Sequence, residues 1–238
     1  MKKILMTSMI VLLLAPLGFA GKIEDWEKVV GSTGKIGEWK VVRESDDIIS
    51  WSRDNPASRI VEVRTKGTID AQVPVIEAIL RDTTAMKKYL FMCTDAHDIK
   101  PADLKSSPDS YYTYFRQGLP WPIWDRYGTG HIEFMLYKTP GSIMGVGRPM
   151  PLDYDPHIKH AIRMTVGDAL WILEPNGDQS TEVTYQILAD PAGDLPSSVV
   201  NMLMKNLGFM TIKNLRKLAK EEPYRSAKTI ITTTPYHE

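Results

Sequence analysis

The chain is 238 residues long, with 29 lysine and arginine side chains against 29 aspartate and glutamate, a formal net charge of zero. That balance excludes a general electrostatic binder of nucleic acid, which needs a basic face. Cys93 is the only cysteine, so no intramolecular disulfide can form, and packing alone must hold one sizeable core or two small ones.

The first residues read MKKILMTSMIVLLLAPLGFA. Lys2 and Lys3, an apolar run from Ile4 to Leu14, and the small residues Gly18 and Ala20 make the three parts of a secretory signal peptide. Thr7, Ser8 and Pro16 interrupt a run that would need about 20 apolar residues to span a membrane. Cleavage after Ala20 removes two lysines and leaves a slightly acidic mature chain. The expectation is a signal peptide over 1–20, one domain over 21–222 and a C-terminal tail over 223–238, in a periplasmic protein.

Ile23, Trp26, Val29 and Val30 then fall at helical spacing before Gly31. EWKVVRESDDIISWSRD and SRIVEVRTKGTIDA read as strand, turn and strand about Asn55-Pro56. PVIEAILRDTTAMKKYL returns to helical spacing, with Val75, Ile76, Ile79 and Leu80 on one face and Pro74 near its start. CTDAHD follows as a polar loop. Strands then dominate: SYYTYFRQ, GTGHIEFMLY, SIMGVG, HAIRMTVGDALWILEP and STEVTYQILAD, each bounded by Gly, Pro, Asp or Asn. The closing helix carries Val200, Leu203, Met204, Leu207, Thr211, Leu215 and Leu218 in one stripe of period near 3.6. Pro196 suits its first turn, and Arg216, Lys217 and Lys220 suit its C-terminal end. Strands in one block with helices at the ends predict an α+β protein with an antiparallel sheet.

Two clusters offer metal-ligating side chains: Cys93, Asp95, His97 and Asp98, and Asp153, Asp155, His157 and His160. Neither spacing matches the usual zinc or copper patterns, and both read as solvated loop or turn. Cys93 lacks the nearby base and electropositive setting of a nucleophile. There is no GxSxG, phosphate-loop or dinucleotide motif. GSIMGVGRP lacks the lysine and following helix of a phosphate loop, and reads as a flexible strand or loop. The expectation is therefore no metal and no cofactor. In GLPWPIWDR, Pro120 and Pro122 cannot sit inside a central strand. Trp121 and Trp124 there mark either a packed corner or a ligand-facing wall.

In order, EWKVVRESDDIISWSRD, IEAILRDTTAMKKYL, PWPIWDR, HAIRMTVGDALWILEP and VTYQILADPAGDLPSSVVN resemble START domains, the steroidogenic acute regulatory protein-related lipid transfer family. The similarity runs from about Gly37 to Lys220. It implies the helix-grip fold, a curved antiparallel sheet wrapped around a long C-terminal helix, with a tunnel for one lipid between them. The same resemblance matches Arg126 to the family arginine, puts Tyr127 where aspartate is usual, and puts Ile132 near an expected basic position. The tryptophans then read as corner packing, and GSIMGVGRP lies near the tunnel mouth.

On that reading Val200, Leu203, Met204, Leu207 and Thr211 close the tunnel, with methionines at 202, 204 and 210 suiting variable acyl chains. Tyr112, Tyr114 and Trp171 line the opposite wall, and Arg126, Ile132, Phe134 and Met164 complete the lipid-binding set. The implied function is an exported, monomeric lipid-binding or lipid-transfer protein that touches membrane surfaces transiently and binds no nucleic acid. Two alternatives stand beside it. One is a helix-grip cyclase or hydrolase using His131 or His160 as base; the other is a ligand-sensing module.

Overall fold

Alternating burial marks the second and third strands, while the first lies largely exposed at the sheet edge. In the computed structural model, which describes residues 36–56, 60–102, 104–152, 154, 159–164 and 166–235, these are β1 (Lys40–Ser45), β2 (Ile48–Arg53) and β3 (Glu62–Ile69). The signal segment, the helix expected at Ile23 to Val30, and Asp153, Asp155 and His157 lie outside the described residues. Asp46 and Asp47, both at φ 55°, join β1 to β2 in the left-handed conformation a tight hairpin needs.

Helix α1 (Val73–Arg81) begins with proline in its first turn and buries Ile76, Ile79 and Leu80. Asp82 ends it. Its carboxylate accepts from the Thr84 and Ala85 N–H groups at 2.9 and 3.2 Å, capping the turn that leads into the short helix α2 (Met86–Tyr89). The CTDAHD segment is not a loop. It is β4 (Cys93–Ile99), an edge strand in which Cys93, Ala96 and Ile99 are buried and the residues between them are polar. Charged residues on the exposed positions of an edge strand are an ordinary guard against edge pairing, and they hid the strand from a reading by polarity.

Then come β5 (Ser110–Gln117), β6 (Asp125–Leu136) and β7 (Ile143–Pro149), so the glycine-rich segment is a regular strand. HAIRMTVGDALWILEP divides into β8 (Ala161–Arg163) and β9 (Val166–Pro175), followed by β10 (Thr181–Asp190). The sheet order is β1-β2-β3-β10-β9-β7-β6-β5-β4, antiparallel along this path, with β8 parallel to the start of β6.

Helix α3 (Ser197–Leu218) lies across β1, β2, β3 and β10. Its second half packs Ile212 and Leu215 into a core shared with α1 and α2, and its first half packs Val200, Met204 and Leu207 with Ile60, Val63 and Ile187. The tail over 223–235 is tied down. Glu77, fully buried, accepts from the Ile231 and Thr232 N–H groups, each at 2.7 Å. Asp109 accepts from Thr233 and Thr234 N–H at 3.0 and 2.9 Å, and Leu136 N–H donates to the Thr234 carbonyl. This is the α+β helix-grip architecture expected from the sequence.

Candidate functional site

Side chains on a strand alternate between faces, and the face of this sheet turned toward α3 carries glycine where a core would carry bulk. Register sets Gly128 opposite Phe115, Gly145 opposite Trp171, Gly147 opposite Ala169, and Gly167 opposite Ala189. A Cβ at Gly167 would meet no atom within 4 Å. The Phe115 and Phe134 rings occupy the space at Gly128 and Gly145, and a cavity of about 150 Å³ remains between sheet and helix. Its walls are mostly apolar. Helix α3 supplies Val200, Leu203, Met204 and Leu207, and the α1–α2 region supplies Leu80, Met86, Tyr89 and Leu90.

Arg126, at the start of β6, is the charged side chain that matters here. It lines the cavity and is 2 % exposed. Its guanidinium donates to four backbone carbonyls, those of Trp124, Asp125, Pro191 and Ala192. A guanidinium has five N–H donors, so this carbonyl nest does not exhaust it. Burial pushes its pKa below the usual arginine value, and the nearby Asp125 pulls it back up. The Asp125 carboxylate itself pairs with Arg116 of β5, at 2.5 and 2.7 Å, and accepts from Leu119 N–H. Asp125 therefore braces the β5–β6 corner and does not pair through its carboxylate with the Arg126 side chain.

No protein-family model matches the chain. An uncharacterised protein of Pseudomonas aeruginosa is 28% identical over 185 residues, which covers 77% of this chain and 88% of that one. A crystal structure of a STAR-related lipid transfer protein from Xanthomonas axonopodis superposes with a TM-score of 0.65 at 26% identity, covering 77% of this chain and 99% of the other. Human StAR-related lipid transfer protein 5 gives a TM-score of 0.70 at 16% identity, covering 83% and 92%. The chain folds as a START domain.

Within this START domain, Arg126, Ile132, Phe134, Met164, Trp171, Val200, Leu203, Met204 and Leu207 all line the cavity. Tyr112, Tyr114 and Thr211 do not. On β5 the strand parity is opposite to the expected one: Thr113 and Phe115 face the cavity. Tyr112 stacks on His131, and Tyr114 packs against His97 and Tyr154 on the outer face. Both faces of β5 are apolar and covered, so alternation alone could not choose between them. Thr211 is fully buried and its hydroxyl accepts from Phe91 N–H at 3.2 Å, tying α3 to the α2–β4 connection.

The corner tryptophans are not packed. Trp121 is 92% exposed and Trp124 53%; the Trp124 and His160 rings meet in a T-shaped arrangement at 5.5 Å. Neither histidine offered as a base reaches the cavity with its ring. His160 stands beside Trp124, while His131 bonds Ser110 on the outer face and contributes backbone to the wall. Burial pushes the His131 pKa down. Burial also pushes the Cys93 thiol up to about 12, so it stays protonated and unreactive at neutral pH. Among the described residues no three His, Cys, Asp or Glu side chains converge as a metal site would require.

Sequence reasoning missed the α1–α2 wall and the β10 residues Tyr185, Ile187 and Ala189. The signal that would have found β10 is its alternation from Val183 to Ala189, read in step with the glycines of β7 and β9.

Proposed function

We propose that this chain is an exported lipid carrier that holds one hydrophobic ligand, a phospholipid, fatty acid or sterol-like molecule, between its sheet and α3. The observation behind this is the hollowed sheet face: glycines stand at successive inward positions under a long amphipathic helix, in a fold shared with lipid transfer proteins. The ligand's polar end sits at Arg126, where the buried charge lies, and its chain runs toward Trp171. A 16-carbon chain gains about 12 kcal/mol on leaving water, at about 0.8 kcal/mol per CH₂. Passing from a bilayer into an apolar cavity gains almost none of that, so the cavity's task is to shield the chain in transit. The exposure of Trp121 and Trp124 beside the Arg126 end supports contact with a membrane surface, where amphipathic indole rings favour the headgroup level. The tripartite N-terminus supports export to the periplasm, and the reading is of a monomer.

Native mass spectrometry of protein purified from its own host tests the reading. One co-purifying lipid per chain is expected. A protein that carries no lipid and takes up neither fatty acid nor phospholipid from vesicles would refute it.

A further inference from the structure

The end of the cavity farthest from Arg126 along β10 is apolar except for two phenols. Tyr185 is 2% exposed and stacks on Trp171 at 4.0 Å and 16°; Tyr89 is 4% exposed and meets Trp171 edge-on at 6.3 Å and 84°. Both line the cavity. Neither hydroxyl has a hydrogen-bond partner among the described residues. Elsewhere, partly buried Tyr111 donates to the Leu80 carbonyl at 3.1 Å and buried Tyr224 to the Asp82 carboxylate at 2.5 Å, while Tyr112, buried on the outer face, has no hydroxyl partner among the described residues. The Tyr114 hydroxyl is also unpartnered, but it is sealed from any accessible space on the outer face. The Tyr89 and Tyr185 oxygens are not sealed in this way.

A buried hydroxyl without a partner costs about 1–3 kcal/mol, and native structures leave few such groups. Two of them in one apolar pocket, on the same indole, call for a ligand. We propose that Tyr89 and Tyr185 form a second polar subsite, which takes an uncharged oxygen on the ligand's chain: a hydroxyl, carbonyl or ether remote from the headgroup. Burial raises both phenol pKa values, so both groups remain hydrogen-bond donors. An uncharged acceptor suits them, because a carboxylate buried against two neutral donors would lack a counter-charge. Tyr185 lies six positions along β10 and its continuation from Pro191, whose carbonyl takes the Arg126 side chain. At about 3.3 Å per residue this sets the two polar ends roughly 20 Å apart. The cargo is therefore an amphiphile with polar groups at both ends of a long apolar stretch.

This inference rests on the lipid-carrier reading, and the test separates the two. Dissociation constants of the full chain are measured for palmitate and for its ω-hydroxylated form, with wild type, Tyr89→Phe, Tyr185→Phe and the double variant. Wild type should bind the ω-hydroxy acid at least as tightly as palmitate. In the double variant the ratio of the two constants should move against the ω-hydroxy acid by about tenfold or more. The single variants, which remove only one oxygen each, should fold and show partial shifts. A ratio unchanged within about twofold in the variants, or a wild type that strongly prefers palmitate, overturns the subsite while leaving the carrier intact. Binding of neither acid by wild type overturns both.

Discussion

Gly208 of α3 rides directly on Thr65 of β3: a Cβ on Gly208 would lie 2.1 Å from the Thr65 hydroxyl oxygen and 2.8 Å from its Cβ. Thr65 cannot move aside freely, since it is fully buried and its hydroxyl is bonded to Ser50 at 2.9 Å. This contact sets how closely the helix approaches one half of the sheet, and the cavity opens where the approach relaxes. Gly208→Ala should therefore destabilise the protein by about 1–3 kcal/mol, the cost of overpacking, although alanine is the better helix former by about 1 kcal/mol. Urea unfolding checks this, and a stabilised variant would show that the helix is not seated there.

Gly167 offers the opposite case, an inward position with open space above it. Gly167→Leu should fill the cavity without displacing a neighbour. Fluorescent fatty-acid binding should weaken by about tenfold or more while the melting temperature stays nearly constant. Unchanged binding with a lowered melting temperature would mean that the space belongs to the core and not to the ligand.

Asp168, on the opposite face of β9 from Gly167 and Ala169, has a pKa raised by burial to about 6, with Arg148 pulling it down. A folded value above the unfolded 3.8 means that the native state keeps the proton longer. The Asp168 contribution is then full below about pH 4, declines between about pH 4 and 6, and stays lost above that. Asp168→Asn should raise stability at neutral pH by about 1–2 kcal/mol and have little effect near pH 4. Melts at the two pH values decide it, and equal shifts at both would rule out titration as the cause.

Asp109 behaves the other way. Burial pushes its pKa up, but hydrogen bonds from Thr233, Arg81 and Thr234 outweigh that and hold it at about 2. Its contribution is full above the unfolded value of 3.8 and is lost as pH falls through about 2. Asp109→Asn should cost about 1–3 kcal/mol at neutral pH, and the gap to wild type should close as pH approaches 2. Limited proteolysis should find the C-terminal tail released in the variant at neutral pH and in both proteins in strong acid.

Trp121 packs on nothing that would hold it. Trp121→Ala should leave the melting temperature within about 1 °C, since surface substitutions move stability by about ±0.5 kcal/mol. The same variant should slow lipid transfer between vesicles several-fold if the indole touches membrane. Transfer at the wild-type rate would remove this tryptophan from the membrane reading.

Elements with one covered face were legible from the residues alone. The α1 stripe of Ile76, Ile79 and Leu80, the α3 stripe from Val200 to Leu218 and the β10 run Thr181–Asp190 each stand where their period places them. So does the antiparallel block between the helices, because hydrophobic period and turn residues are local properties of a chain. The same logic gave the α3 stripe at Val200, Leu203, Met204 and Leu207, and only the resemblance to START domains implied that this stripe walls a cavity. The choice of face on β5 is a different kind of quantity. Tyr112 and Tyr114 present aromatic rings as Phe115 does, and what lies over each face is supplied by segments far along the chain: Tyr154 on one side, α3 on the other. The exposure of Trp121 is non-local too, since a large apolar ring is buried only if some other element arrives to cover it. Helix α3 closes over a glycine-lined face and leaves a space. That space, with two phenols and one guanidinium turned into it, exists only because strands distant in sequence bring their inward positions to one place.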